Sequence, residues 1–473
     1  MIDRRAFLRT ALSSAIFAPS LSGLIPWNAA AQSRRTRAGR AGFGELVQSA
    51  DCPQLMIPRG FRCFRISETH GPSVANPTFT VPVAVDGMAA FALPNGNVRL
   101  IRNHEVADEA ERGRAFGSKP YDPKASGGTT SLEIRVSGNG PDRTVEVVSE
   151  FPSLSGTLIN CAGGRTPWGS WLSCEETTMG PTHGYTQPHG YIFEVPVAAT
   201  SDVDPVPLKA MGRFVHEAVA VDPRTGFVYM TEDMRWMEGN PALPGAGFYR
   251  FIPNTPGRLI DGGRVQILAV RDRPQYSTVR DQTPGVKLPV HWIDIENADP
   301  ADAEEDPSYV FKSGFDRGAA RFQRLEGCFW ADDCAYFDST SGGNAGSGQI
   351  WQYRPTSRDE GELTLIFESP SREVLDSPDN ICTTRNGGLI ICEDGAGDEF
   401  LRGLTAEGEM VDIVKAPVVE GKPSPTEFAG CCFSPDYSVL FFNQQARRVP
   451  TAPPSAAPTH SSATLHPEGC NER

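Results

Sequence analysis

Six times along this chain, an acidic or amide residue opens one apolar strand pattern and a second such residue closes the next. The openings are Asp86, Asn160, Glu217, Glu326, Asp379 and Glu427. The closings are Glu105, Glu175, Glu232, Asp338, Glu393 and Asn443. In an antiparallel hairpin, the start of the first strand and the end of the second lie at the same end. Six such hairpins set radially gather these groups around one mouth. Carboxylates held that close repel one another unless cations bind among them. The repeat predicts an all-β chain, a six-bladed β-propeller, with a multi-metal site at its mouth. Taken singly, each carboxylate reads equally well as a strand-end solvent contact or a turn former. Only the repetition favours metal.

A second repeat supports the first. Phe193-Glu194-Val195-Pro196, Tyr249–Pro253 and Trp351–Pro355 each follow a glycine and read as third strands. The gap between Glu217 and Glu326 is long. It holds an insertion over about 270–325; within it the acidic loop Asp299–Asp306 is expected as a solvated surface excursion, with a cover over one face of the propeller as the alternative. Residues 61–445 are the propeller domain, and residues 32–60 are a flexible lead-in. The segment 446–473 is rich in Pro, Ala, Ser and Thr and reads as a disordered tail, because it cannot bury enough apolar surface to order itself.

Residues 1–31 read as a twin-arginine signal peptide. Arg4-Arg5 precede an apolar stretch broken by Pro19 and Pro26, and Ala29-Ala30-Ala31 supply a cleavage site. The twin-arginine export machinery is the expected partner, with a periplasmic or secreted destination. The run is too short and interrupted for a stable membrane span after cleavage. A net charge of -14 argues against nucleic-acid binding. Most of the eleven cysteines sit in apolar strand contexts, where thiols act as small hydrophobes; Cys52 and Cys63 could pair.

Hard cations such as calcium want several carboxylate oxygens. Glu105, Glu217, Glu232, Asp233, Asp379, Glu393 and Asp394 can supply them. Cys174 beside Glu175 offers a soft thiolate, better suited to iron or zinc. Arg324 and Glu326 are two apart on a strand and share a face. An arginine among metal-bound carboxylates implies an anionic substrate, although a plain Arg–Glu pair reads almost as well.

The segment from Asn160 to Glu176 (NCAGGRTPWGSWLSCEE) closely resembles the signature of PhoX-type alkaline phosphatases. Arg102–Glu105, Phe214–Ala218, Arg324–Gly327, Ser377–Asn380 and Phe428–Asp436 are similar to other motifs of that family. The resemblance covers about residues 80–445. It implies a six-bladed propeller, twin-arginine export and hydrolysis of small phosphate monoesters. It also implies two irons bridged by a cysteine, with several calcium ions. By resemblance, Cys174 would bridge the irons and Glu217, Glu326 and Asp379 would bind metal. Arg324 would bind the phosphate, making Cys174 and Arg324 the reaction-centre pair. Glu105, Glu175, Glu232 and Glu393 complete the expected metal set. The chain lacks the family's usual closing strand, so an incomplete last blade is expected. The alternatives are a calcium-dependent propeller esterase or lactonase, and a non-catalytic propeller that holds calcium for rigidity.

Overall fold

The computed structural model describes residues 43–106, 115–139, 142–418, 426–446 and 461–467. The expected signal peptide and residues 32–42 of the lead-in lie outside them. Within them the chain is all-β and antiparallel, with one short α-helix, Tyr309–Phe315. No helix among the described residues is long and apolar enough to cross a membrane.

Strands form where apolar and β-branched runs alternate between turn residues. They group into six successive meanders. The first strands of these are Val85–Ala92, Asn160–Arg165, His216–Val221, Leu325–Ala331, Pro378–Thr383 and Thr426–Phe433. Each pairs antiparallel with the strand that follows it. Each first strand also packs against the first strand of the next unit, and the sixth packs against the first. The first strands thus close a ring, and the later strands lie outward from it. Apolar clusters fill the wedges between neighbouring sheets. The largest sets Tyr229, Phe248, Trp292, Phe337 and Tyr353 between the third and fourth units.

Two expectations about the flanks are corrected, and the insertion is built into the sheets. Its strand Lys287–Asp294 pairs with Gly263–Val270 on one side and Glu360–Glu368 on the other, joining two units into one nine-stranded sheet. Its helix buries Val310 and Phe311. The lead-in is partly built in: Leu46–Gln48 pairs with Met56–Pro58, which extends the fifth sheet through Met56 opposite Lys415.

The tail also carries a strand. Ser461–Pro467 lies between Leu440–Ala446 and Phe61–Glu68 and pairs with both. The sixth sheet is therefore complete, closed by both ends of the chain. Ala463 and Leu465 are buried there; two apolar side chains suffice once the strand is paired along both edges. Cys52 and Cys63 are buried free thiols in contact with each other.

Candidate metal centre

Each of the six first strands has an irregular register at the same place. The pairing skips between Val85 and Met88, Asn160 and Gly163, and His216 and Val219. It skips again between Leu325 and Cys328, Pro378 and Ile381, and Ala429 and Cys432. Such bulges insert one extra residue and re-aim a side chain. The first residue inside each is Asp86, Cys161, Glu217, Glu326, Asp379 and Gly430. Small residues let the neighbouring strands close on this ring. A Cβ on Gly87 would lie 2.6 Å from the Ala162 Cα, and one on Gly430 would lie 2.3 Å from the Asp86 carbonyl oxygen.

A second tier comes from the ends of the second strands. The Glu105 amide donates to the Ala84 carbonyl oxygen at 2.7 Å, and Glu176 to Ile159 at 2.8 Å. Asp233 donates to Val215 at 3.2 Å, and Asp394 to Ser377 at 2.9 Å. Ala84, Ile159, Arg324 and Ser377 each stand two residues before a ring member and hold positive φ, between 48° and 54°. Non-glycine residues adopt that backbone rarely, and it gathers at functional sites.

The two tiers meet in four overlapping groups: Asp86–Glu105–Cys161, Cys161–Glu176–Glu217, Glu176–Asp233–Glu326 and Glu217–Glu326–Asp379. Within each group the potential ligand atoms lie within 4.8 Å of one another. Cys161 belongs to two groups, and its Sγ lies 3.7 Å from Asp86 Oδ2. Asp86 Oδ1 and both carboxylate oxygens of Glu217 are buried without a hydrogen-bond partner. Burial, then neighbouring carboxylates, push Asp86, Glu217 and Asp379 well above the usual carboxylate range. Glu176 and Glu326 are pushed the same way by burial and then Asp233. Such a cluster cannot ionise fully unless cations enter it. Orphaned carboxylate oxygens around one thiol fit both hard and soft metals.

Arg324 stands at the edge of this cluster. Its Nε and Nη2 donate to Asp233 Oδ1 and Oδ2 at 2.9 and 2.6 Å, and Nη2 also donates to Glu326 Oε1 at 2.9 Å. Its side chain is 29% exposed, whereas the two carboxylates are each 8% exposed, so the guanidinium is the exposed part of the trio. Burial works against its charge, but Asp233 and Glu326 more than offset it. The residues that follow the ring members, such as Gly87, Ala162, Ala218 and Gly327, line an axial cavity of about 560 Å3.

Of the expected site residues, Glu105, Glu217, Glu326, Asp379 and Arg324 are brought together. Four others are not. Cys174 points into an apolar core with Leu172, Ile192 and Val219 and belongs to none of the four groups. Glu175 accepts from the Leu158, Gly190 and Tyr191 amides and bonds His189 Nδ1 at 2.6 Å. Glu232 accepts from the Gly247 amide and the Tyr249 hydroxyl, each at 2.8 Å. Glu393 accepts from the Asp376 amide and Arg402 Nε. For the three carboxylates the physical reason is shared: each stands one residue before the second tier, and adjacent strand residues face opposite sides. Cys161 and Glu176 were missed. The signal for them was present in the adjacent acid pairs Glu175-Glu176 and Glu232-Asp233 and in the Asn160-Cys161 opening.

The family model described as "Alkaline phosphatase PhoX" matches residues 41–447. The chain belongs to the PhoX alkaline phosphatase family. A solved structure from Pseudomonas fluorescens, PhoX in complex with vanadate, a transition state analogue, shares 18% identity. Its TM-score is 0.64, with 91% of this chain and 98% of that chain covered. At that identity the likeness establishes the fold. A protein of unknown function from Dyadobacter fermentans is similar at 11% identity and a TM-score of 0.43, covering 87% of this chain and 100% of that one. No curated protein matches the chain by sequence.

Proposed function

We propose that this protein is an exported metallophosphatase that hydrolyses phosphate monoesters at the mouth of a six-bladed β-propeller. One observation carries the reading most: four linked ligand groups, two of them sharing the thiol of Cys161, have the Arg324 guanidinium at their edge. Cys161 would be the thiol that holds iron, in place of Cys174, to which the family resemblance pointed. Iron is proposed at the groups containing Cys161, because a thiolate among carboxylates suits a transition metal. Calcium is proposed at the all-carboxylate groups.

Bound cations would supply Lewis-acid polarisation of the phosphoryl group. The chain's own contribution is orientation and charge. Arg324 uses Nε and Nη2 for Asp233 and Glu326, which leaves Nη1 for an incoming phosphoryl oxygen. Asp233 and Glu326 fix the plane of the fork, so little side-chain freedom is lost when substrate arrives. Export by the twin-arginine route and a periplasmic destination rest on Arg4-Arg5 and the apolar stretch behind them.

The test is elemental analysis of the purified protein beside hydrolysis of a chromogenic phosphate monoester. Iron, calcium and turnover together are expected. Calcium without iron or turnover would favour a binding propeller and sink the phosphatase reading. Arg324→Lys keeps the charge and loses the fork. It is expected to lower kcat/KM by about 10-fold or more with metal content unchanged. An unaltered kcat/KM would remove Arg324 from substrate binding.

A further inference from the structure

Asn103 lies fully buried on the second strand of the first unit, Val98–His104. Its Nδ2 crosses to the second unit and donates to the carbonyl oxygens of Cys161 and Ala162, at 3.2 and 2.7 Å. Its Oδ1 accepts from Trp171 Nε1 at 2.8 Å and Ser173 Oγ at 2.9 Å. These four bonds use the full capacity of a side-chain amide. In register, Asn103 stands between Arg102, opposite Met88, and His104, opposite Val85.

Thr231 holds the same register position in the third unit, between Met230, opposite Val219, and Glu232, opposite His216. Its hydroxyl lies 2.6 Å from the carbonyl oxygen of Glu326 in the fourth unit and accepts from the Ala218 amide at 3.0 Å. In the sixth unit, Asn443 Nδ2 donates to the carbonyl oxygen of Asp86 in the first. Three ring members therefore have their backbone held by a side chain of the preceding unit. A bulge leaves a backbone group outside the ladder, and a buried carbonyl needs a donor. Without these donors the bulges that aim Asp86, Cys161 and Glu326 would have alternative settings, and metal sites tolerate only small displacements of their ligands.

We propose that Asn103, Thr231 and Asn443 are positioning residues: each clamps the carbonyl of a ring residue in the next unit and thereby sets the metal affinity of the centre. The proposal rests on the metal-site reading given above. Partners of this kind are worth about 10–100-fold in metal affinity.

The experiment uses full-length protein stripped with chelator and titrated with iron and calcium salts. Thr231→Val keeps the shape and loses the hydroxyl. Asn103→Asp keeps the shape and turns the donor into an acceptor. Both variants are expected to bind metal about 10–100-fold more weakly, with the folded circular dichroism spectrum retained. At saturating metal, KM for the phosphate monoester should stay unchanged. A second readout needs no metal: iodoacetamide alkylation of the stripped protein, read by peptide mass spectrometry. Asn103→Asp should speed alkylation of Cys161 and not of Cys174. Wild-type metal titration in both folded variants would overturn the clamp. So would parallel acceleration at Cys161 and Cys174, which signals general loosening. Absence of metal uptake by wild type, with Cys161 alkylation still selectively faster in Asn103→Asp, would sink the metal reading and keep the clamp. Should Asn103→Asp fail to fold, the Thr231→Val titration alone decides.

Discussion

A strand residue and its neighbour face opposite sides, so one step along the chain separates a ligand from a core residue. Glu175 and Glu176 make the case, and the two cysteines show the same contrast between ligand and core. Cys161 lies inside a bulge and shares its surroundings with Asp86, Glu105, Glu176 and Glu217. Cys174 packs against Leu172, Ile192 and Val219, where a thiol behaves as a small hydrophobe. Cys161→Ser should therefore strip the transition metal and lower turnover by at least about 100-fold, in keeping with loss of a directly bound ligand. Cys174→Ala should keep both metal and turnover and lose about 1 kcal/mol of stability through a small cavity. Elemental analysis and a thermal midpoint on each variant check the pair. The opposite pattern would return the bridging role to Cys174. The carboxylates obey the same rule: Glu176 and Asp233 join the groups, whereas Glu175 and Glu232 turn away to satisfy backbone amides.

Among the elements, the segment after the second unit's outgoing strand carries a pH-sensitive joint. His189 Nδ1 lies 2.6 Å from Glu175 Oε1, and Nε2 lies 3.6 Å from Asp122 Oδ2; all three side chains are buried. Burial favours the neutral ring, but Glu175 and Asp122 outweigh it and raise the His189 pKa to about 9. The unfolded value is near 6.5. The ion-pair contribution is therefore fully present below about pH 6.5 and is lost as pH rises through about 9, a change on the order of 3 kcal/mol. The thermal midpoint of chelator-treated wild type should fall across that window, and His189→Gln should flatten that part of the curve. An equal fall in both proteins would exclude His189 as the source. This joint was invisible in the sequence, because Asp122, Glu175 and His189 meet only through loop geometry. The repeated hairpins were legible, since apolar alternation and acidic ends recur six times. Their bulges were not: one inserted residue leaves the apolar pattern intact and shifts which end residue enters the centre. The strand Lys287–Asp294 was missed for another reason. Its Lys-Leu-Pro-Val-His-Trp pattern is short, and its pairing partners are remote in sequence.

At the scale of the whole molecule, closure decides whether six units hold one centre. The sixth sheet joins Thr426–Phe433 and Leu440–Ala446 to Ser461–Pro467, and then to Phe61–Glu68 from the other end of the chain. Composition hid this closure. Ser-Ser-Ala-Thr-Leu-His-Pro has little apolar surface, and the strand is ordered by pairing on both sides rather than by its own core. Residues Thr426–Phe433 carry Gly430, the sixth ring position, and Asn443 next door clamps Asp86. The closing strand therefore bears on the centre through the strand it pairs with. Removing residues 461–473 would expose the edges of Leu440–Ala446 and Phe61–Glu68, and unpaired edges invite association between chains. It would also forfeit burial of Leu465, worth about 2 kcal/mol by itself. The truncated protein should show a lower thermal midpoint, concentration-dependent aggregation and weaker metal retention during dialysis. Restoring the strand as a separate peptide spanning 459–469 should recover part of the metal retention, because pairing along an open edge supplies most of the binding. A truncated chain that stays monomeric, with an unshifted midpoint and full metal, would show that the ring is held by the wedges between sheets alone and that the joined ends are dispensable.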